Sequence, residues 1–413
     1  MSITSKMAWR NIWRNPRRSV LTIGAIGFAG LLLVFMFSFQ FGSYEAMVNS
    51  SVKIRTGHLQ ILAEGYHDNQ DMRLVISNPE PAGNRVGNIP GVEAYTFRGE
   101  AFSLASSENR TYGVLVSGID PEREARISTI KDLIRRGSYL SEDGEREQAI
   151  FGTLLADNLK VGIGDEVTLL GQGRDGSVAA TVLKIKGVFR SGIDEMDRST
   201  VYMRLDTFQD VYFMQDSVHR IVINANRLDQ VSRIKQRLNG ELKTLDRSKE
   251  LTVLTWEELN PGLPQSIKMD LISGVIWYLF LVMVVAFSIM NTFLMAVFER
   301  TKEFGVMLAL GTKPGRVIKI LLFESMFITA LGLAIGIVLG SVVTLYFQKV
   351  GIDIGGVSEI TSQFGISGKL YPRLTPLSAV IGPAAVLVIT FFAALYPAFK
   401  VRKLNIVQAL AQI

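Results

Sequence analysis

Four long apolar runs interrupt the ordinary mixture of polar and apolar residues along this chain of 413 residues. A helix needs about 20 mainly apolar residues to cross the roughly 30 Å hydrocarbon layer of a bilayer. The runs reach that length, and the first of them contains no charged residue. The predicted spans are residues 20–41, 271–298, 320–347 and 377–399. The chain is therefore predicted to be an integral membrane protein with four transmembrane helices.

Basic residues are concentrated in three of the segments that flank these runs. Residues 1–19 carry five Lys or Arg and no acid, 299–319 carry five, and the tail 400–413 carries three, whereas 348–376 carries three over a greater length. Short cytoplasmic segments of membrane proteins are enriched in Lys and Arg. We therefore expect both termini and 299–319 to be cytoplasmic, with 42–270 and the loop 348–376 outside.

The leader, residues 1–19, places Trp9 and Trp13 four residues apart among basic residues. That spacing could place a short amphipathic helix on the inner membrane surface. Ordinary anchoring of the two tryptophans at the membrane interface is the preferred interpretation. A basic leader before an apolar run is also typical of a cleaved signal peptide. This run is too long for one and no A-x-A-like site follows it, so we expect an uncleaved signal anchor.

The outer segment, 42–270, alternates strand-like and helix-like patterns. Strands are predicted at 58–62, 92–106, 111–119, 167–170, 178–189, 201–203, 219–225 and 251–255, and a helix at 228–238. The pattern predicts a large α+β extracytoplasmic domain, in which a split α+β module is made from both ends of the segment. A mostly β subdomain, about residues 120–217, is inserted in it.

The net charge of +6 could indicate nucleic-acid binding in a soluble protein, but here the basic excess flanks the apolar runs and indicates a membrane protein instead. The chain has no cysteine, which excludes disulfides and thiol catalysis. The three histidines, His58, His67 and His219, are too scattered for a local zinc motif.

The acidic cluster Asp194, Glu195 and Asp197 could hold a cation. Arginines flank it, so a solvated charged loop is the preferred interpretation. A phosphate-binding loop is missing: the nearest sequence, at 367–370, has Leu where a metal-binding Ser or Thr should stand. We expect no catalytic, cofactor or metal site in this chain, with ATP and Mg bound by a partner.

Three glycines, Gly332, Gly336 and Gly340, recur every four residues in the third span. They share one helix face, which allows another helix to approach closely. Glu324 lies near the cytoplasmic end of the same span. An acid within the membrane can be functional, but at this depth an interfacial carboxylate paired with a nearby lysine is the preferred interpretation.

The segment 299–319 contains a short predicted helix. Thr301 can cap a body running from Lys302 to Leu310, and Gly311 can end it. Phe304, Met307 and Leu308 then form one apolar face at i, i+3 and i+4, with Arg300 and Glu303 beside it as rim charges. This face could rest on the bilayer surface or bind a partner.

Three segments together resemble a known family. They are MAWRNIWRNPRR (7–18), FERTKEFGVMLALGTKPGRVIKILLFES (298–325) and YPAFKVRKLNIVQAL (396–410). The chain resembles the FtsX-like permeases of ABC transporters, which include the macrolide exporter MacB and the lipoprotein-releasing LolC and LolE subunits. The outer sequences GIDPEREARISTIKDLIRRGSYL (118–140), LADNLKVGIGDEVTLL (155–170) and GVFRSGIDEMDRSTVYM (187–203) resemble the lipoprotein-releasing branch most.

The resemblance implies a multi-pass permease of the bacterial inner membrane that works with a separate ABC ATPase and a second permease copy or paralogue. The cargo would be a lipoprotein, passed to a periplasmic carrier. The short helix would be the coupling helix lying in a groove on the ATPase. The alternatives are export of another amphiphile, or FtsX-like signalling in which the ATPase moves the outer domain to switch a periplasmic enzyme. A membrane-anchored enzyme is disfavoured because no catalytic constellation was found.

Overall fold

The computed structural model of the protein describes residues 3–108, 110–242, 251–353 and 369–400. Its described residues divide into a membrane unit, built from 3–46, 266–353 and 369–400, and an outer unit within 47–265. Apart from Lys400, the predicted tail 400–413 lies outside the described residues, as do residues 354–368 of the predicted outer loop.

Helices account for nearly all of the described membrane unit and are short in the outer unit. In chain order they are α1 (Ile3–Ile12), α2 (Pro16–Ser51), α3 (Tyr66–Asn69), α4 (Glu80–Gly87), α5 (Pro121–Ile127), α6 (Thr153–Leu159), α7 (Asp194–Ser199), α8 (Leu205–Val211), α9 (Val231–Leu242), α10 (Trp256–Leu259), α11 (Gly262–Glu299), α12 (Thr301–Ala309), α13 (Pro314–Val350) and α14 (Pro376–Lys400). A π-helical turn, Val52–Thr56, continues from α2.

The strands belong mainly to the outer unit. They are β1 (Leu59–Ala63), β2 (Ile76–Ser77), β3 (Val92–Ser107), β4 (Arg110–Ile119), β5 (Ile134–Gly137), β6 (Gln148–Gly152), β7 (Glu166–Gln172), β8 (Val178–Phe189), β9 (Thr200–Arg204), β10 (Ser217–Val218), β11 (Arg220–Ala225), β12 (Leu251–Thr255), β13 (Ile352–Asp353) and β14 (Lys369–Leu370).

Among the described residues, four helices, α2, α11, α13 and α14, are long and apolar enough to cross a membrane. Three of them begin at a proline, whose fixed φ suits the first helical position and whose missing N–H is not needed there. Their shared core contains Ile26, Leu33, Phe293, Ile328 and Val386. The predicted fold class, four apolar helices and a large α+β domain, is confirmed.

The outer unit is organised around one sheet of ten strands. Its order is β12-β1-β11-β3-β4-β9-β6-β8-β5, and β7 pairs with both β3 and β8. Through β7, six strands (β3, β4, β9, β6, β8 and β7) close into a ring. Ring closure leaves no free edge within this part of the sheet. Its interior is filled by apolar side chains such as Phe151, Leu169, Leu183, Met203 and Phe208.

The strands of the β subdomain predicted at 120–217 do not form a sheet of their own but join the sheet of the split module. The first half of β3 pairs with β11, and its second half, Ser103 to Ser106, pairs with β7. The hairpin of β3 and β4 therefore belongs both to the split module and to the closed ring. Sequence patterning could not show this because β3 is one uninterrupted strand of 16 residues, and no local signal marks the point at which its partner changes.

The split module places helices α4 and α9 over strands β1, β3, β11 and β12. Their common core includes Val86, Phe97, Ile221, Ile234 and Leu238. The predicted helix 228–238 is found as a 3-10 turn, Leu228–Gln230, followed by α9. All predicted strands of this module are confirmed within one or two residues.

Two buried ion pairs stand side by side on the sheet. Arg98 on β3 and Arg220 on β11 are directly opposite each other. Arg98 donates two hydrogen bonds to Glu124, at 3.0 and 2.6 Å, and Arg220 Nε donates to Glu100 at 2.8 Å. Each cation therefore has its own carboxylate, as buried charges require.

The segment GIDPERE, 118–124, is explained by the first of these pairs. Asp120 caps α5 by accepting hydrogen bonds from the backbone N–H groups of Glu122 and Arg123. Pro121 occupies the first turn of the helix. Glu124 is thereby presented from α5 to Arg98. The motif is a structural anchor of the outer unit.

Two of the histidines act as neutral acceptors in the core. Burial lowers the pKa of His219 to about 4, and its Nδ1 accepts from the backbone N–H of Glu100 at 2.9 Å. Burial likewise lowers the pKa of His58 to about 4, and its Nδ1 accepts from Ala225 N–H at 3.2 Å.

The acidic cluster at 194–197 is not a solvated loop, as the flanking arginines had suggested. It forms the helix α7, and Asp197 is buried. Asp197 accepts hydrogen bonds from both the backbone N–H and the hydroxyl of Ser191, at 2.7 and 2.6 Å. Within the described ranges, no three His, Asp or Glu side chains are placed together to hold a metal ion.

Candidate functional site: the short helix after the second span

Helix α12 connects the second and third spans, and its ends are defined by local hydrogen bonds. The predicted cap Thr301 is wrong: Arg300 precedes the helix, and the Thr301 hydroxyl donates to Val297 O at 3.0 Å. At the other end, Gly311 N–H donates to Leu308 O and Thr312 N–H donates to Met307 O, both at 3.0 Å. Gly311 has a φ of +88°, which glycine adopts without strain.

The predicted apolar face of α12 is used inside the chain. Phe304 is only 1% exposed and packs with Val297, Val317 and Leu321. Met307 and Leu308 are partly buried against the same cluster. Phe304 is therefore not free to anchor a partner, which corrects the sequence-based expectation. Apolar residues of α11 and α13 cover this face before any partner can reach it.

The opposite face of α12 is open. Val306 is 47% exposed, Leu310 is 83% exposed, and Lys302 and Ala309 are exposed as well. Val306 and Leu310 are four residues apart, so they lie on one side of the helical path. Their i, i+4 spacing is visible in the sequence. The sequence cannot show whether this pair or the equally regular pair of Phe304 and Leu308 is exposed. The structure makes Val306 and Leu310 the apolar groups available to a partner.

A row of four alternating charges links α12 to the leader and to α13. Arg300 Nε lies 3.1 Å from Glu303 Oε2, and its Nη1 lies 3.0 Å from Glu324 Oε2. Glu303 in turn accepts from both terminal nitrogens of Arg14. Hydrogen bonds from Arg14 hold the pKa of Glu303 below its usual range. The order is therefore Arg14, Glu303, Arg300 and Glu324.

These ion pairs change two expectations drawn from the sequence. The partner of Glu324 is Arg300, not a lysine. Arg300 is also not a rim charge, since its side chain is only 12% exposed and its guanidinium lies 5.3 Å from the centroid of the Phe304 ring. The ion pair between Arg14 and Glu303 could not be predicted from local sequence, because the two residues are 289 positions apart.

The three predicted packing glycines lie against α2. A Cβ at Gly332 would lie 2.7 Å from Ile26 Cβ, and one at Gly340 would lie 3.0 Å from Val34 Cβ. The closest approach is at Gly336, where a Cβ would lie 2.5 Å from the carbonyl oxygen of Gly27. The structure thus brings two backbones together where both helices carry glycine.

Family comparison identifies both parts of the chain. Residues 19–241 match the MacB-like periplasmic core domain, and residues 275–406 match the FtsX-like permease C-terminal domain. The chain belongs to the family of permeases that carry a MacB-like periplasmic core domain, and it is an ABC transporter permease of the FtsX, MacB and LolC type.

Individual relatives are similar along most of the chain. The lipoprotein-releasing system transmembrane protein LolC of Xylella fastidiosa is 25% identical over 372 residues, covering 86% of this chain and 84% of that protein. The LolE protein of Haemophilus influenzae is 23% identical over 428 residues, covering 96% of each. Among solved structures, the periplasmic region of MacB from Actinobacillus actinomycetemcomitans aligns at 14% identity with a TM-score of 0.38, covering 52% of this chain and 94% of that one.

Proposed function

We propose that this chain is the membrane subunit of a lipoprotein-releasing ABC transporter, located in the bacterial inner membrane and driven by a separate ATPase subunit. The observation that carries the proposal is α12. It lies between two spans, is fixed on its inner face, and presents Val306 and Leu310 as exposed apolar groups. A groove on an ATPase subunit that takes an amphipathic helix would bury that pair.

A groove in the membrane unit supports an amphiphilic cargo. It has a volume of about 280 Å³ and lies among α2, α11 and α14. Leu33, Phe37, Val275 and Ala385 are among its apolar lining residues. A mostly apolar groove of this kind can accept hydrocarbon chains. Two polar residues also line the groove, and they bond to each other: the Tyr278 hydroxyl donates to Gln40 Oε1 at 2.9 Å.

An exposed apolar strip on the outer unit supports contact with a further protein, such as a periplasmic carrier. Phe102 and Leu104 on β3 are exposed, and Leu104 pairs with the exposed Leu170 on β7. The next strand, β8, adds the exposed Val182 to the same face of the sheet. Contiguous exposed apolar surface of this kind marks interaction sites.

The proposal is tested by purifying the chain from its native membrane in mild detergent and identifying what is bound. An ABC ATPase should be retained, and a lipoprotein should be retained in the absence of ATP. The purified chain alone should hydrolyse no ATP, because it has no phosphate-binding loop, and hydrolysis should appear when the ATPase is present. Hydrolysis by the chain alone, after rigorous removal of contaminants, would contradict the proposal. A bound periplasmic hydrolase in place of lipoprotein would favour signalling.

The proposed orientation predicts which positions an impermeant reagent can reach. The chain has no native cysteine, so single cysteines give no background. Glu142→Cys, at an exposed position of the outer unit, should react with an impermeant maleimide once the outer membrane is permeabilised. Lys313→Cys, exposed after α12, should react only after the inner membrane is opened. Reaction at position 313 from outside would overturn the orientation.

A further inference from the structure

The orientation of α12 is set by contacts of two different kinds. Phe304 supplies an apolar contact, and such contacts have no preferred direction. Arg300 supplies a directional one, because its planar guanidinium presents fixed N–H donors. It places Nε on Glu303 within the helix and Nη1 on Glu324 in the third span. One side chain therefore joins α12 to α13 at a defined angle.

The charged contacts also differ in burial. The side chains of Arg300 and Glu324 are 12% and 4% exposed, whereas those of Arg14 and Glu303 are 58% and 41% exposed. Water screens the exposed pair, which contributes little. Removing one member of the buried pair leaves an uncompensated charge and forces the helix to find another arrangement. Of the charged contacts of α12, the buried pair is thus the one whose loss should disturb the helix most.

We propose that Glu324 is a positioning residue that acts through Arg300 to fix the rotation of α12 about its axis, so that Val306 and Leu310 face the ATPase subunit. This inference rests on the proposed function. Positions 306 and 308 are about 200° apart around a helix. If α12 is free to rotate about its axis, the exposure of Val306 should therefore fall and that of Leu308 should rise.

Two variants separate positioning from a simple contribution to stability. Glu324→Gln keeps the shape of the side chain and removes its charge. Arg300→Lys keeps a cation beside Glu324 but loses the planar fork that reaches Glu303 and Glu324 together. A purely stabilising ion pair would tolerate the lysine, whereas a positioning pair would not.

The readout is the labelling rate of single cysteines, Val306→Cys and Leu308→Cys, by a water-soluble maleimide on the full-length chain purified without ATPase. With Arg300 and Glu324 in place, position 306 should react at least tenfold faster than position 308. Either variant should reduce that ratio to about threefold or less. ATPase retention, measured separately by co-purification, should fall about tenfold.

Glu299→Gln is the matched control. Glu299 also pairs with an arginine, Arg18 at 2.9 Å, but its side chain is 55% exposed. This variant should leave the labelling ratio and the ATPase retention unchanged. A similar fall in this control would show that any lost carboxylate in the region disturbs the helix, which would overturn the specific role of Glu324.

The inference is overturned if Arg300→Lys keeps the tenfold ratio. The Arg300→Lys measurement does not depend on Glu324→Gln, so it tests the inference even if Glu324→Gln fails to accumulate. Failure of the proposed function looks different: the unmodified chain would then retain no ATPase, while the labelling ratio would still depend on Arg300 and Glu324.

Discussion

Replacing Leu310 by aspartate should abolish retention of the ATPase subunit while the permease remains folded and inserted. Leu310 is 83% exposed and follows the last turn of α12, so the permease itself gains nothing from its burial. Burying a leucine at an interface contributes about 1.5–3 kcal/mol, and an unpaired carboxylate in its place adds a desolvation cost. Together these should weaken association by at least about hundredfold, or about 3 kcal/mol. Co-purification of the ATPase with the tagged permease measures the effect.

Phe304→Asp is the contrasting variant. It places a carboxylate inside the cluster of Val297, Val317 and Leu321, so the level of folded permease itself should fall. Leu310→Ala should give an intermediate loss of ATPase, and Lys302→Ala a small one. Normal ATPase retention by Leu310→Asp at normal permease levels would show that the partner does not use this face.

Gly336→Leu should strongly destabilise the membrane unit. A Cβ at this position would lie 2.5 Å from the carbonyl oxygen of Gly27 and 3.0 Å from Gly30 Cα. Both neighbours are backbone, so the helices must separate to accept the side chain. Overpacking costs about 1–3 kcal/mol where side chains can adjust, and more is expected where they cannot. Thermal unfolding of the purified permease in detergent, followed by size-exclusion chromatography, measures the loss.

Gly24→Leu on α2 is the matched control, because a Cβ there would meet nothing within 4 Å. Its melting temperature should match that of the unmodified protein. Gly336→Ala should fall between the two, since the clash begins at Cβ. Equal stability of Gly336→Leu and Gly24→Leu would mean that the close packing of α2 and α13 does not matter for the folded state.

Several features of the fold follow from sequence pattern alone. A span requires about 20 apolar residues whatever surrounds it, so α2, α11, α13 and α14 were predictable from composition. Strands such as β3 and β11 are rich enough in strand-forming residues to be located within one or two residues. Glycine at four-residue spacing marked the face of α13 that meets another helix, although the sequence did not show which helix.

Other features depend on residues that are distant in sequence. Closure of the six-stranded ring requires β7 to pair with β3, some 65 residues earlier along the chain, and no local pattern encodes that pairing. The role of Asp197 was hidden as well. A carboxylate between arginines looks solvated until the loop before it folds back and places the Ser191 hydroxyl 2.6 Å away.

Sequence pattern is enough to predict four membrane spans, a large α+β domain and a short helix after the second span. Which face of that helix is free depends on tertiary contacts. Phe304 with Leu308 and Val306 with Leu310 both satisfy helical i, i+4 spacing. The choice between them is made by Val317, Leu321 and Glu324 on α13, which bury one face and bind Arg300. Periodicity identifies faces, whereas burial depends on what the rest of the chain brings against them.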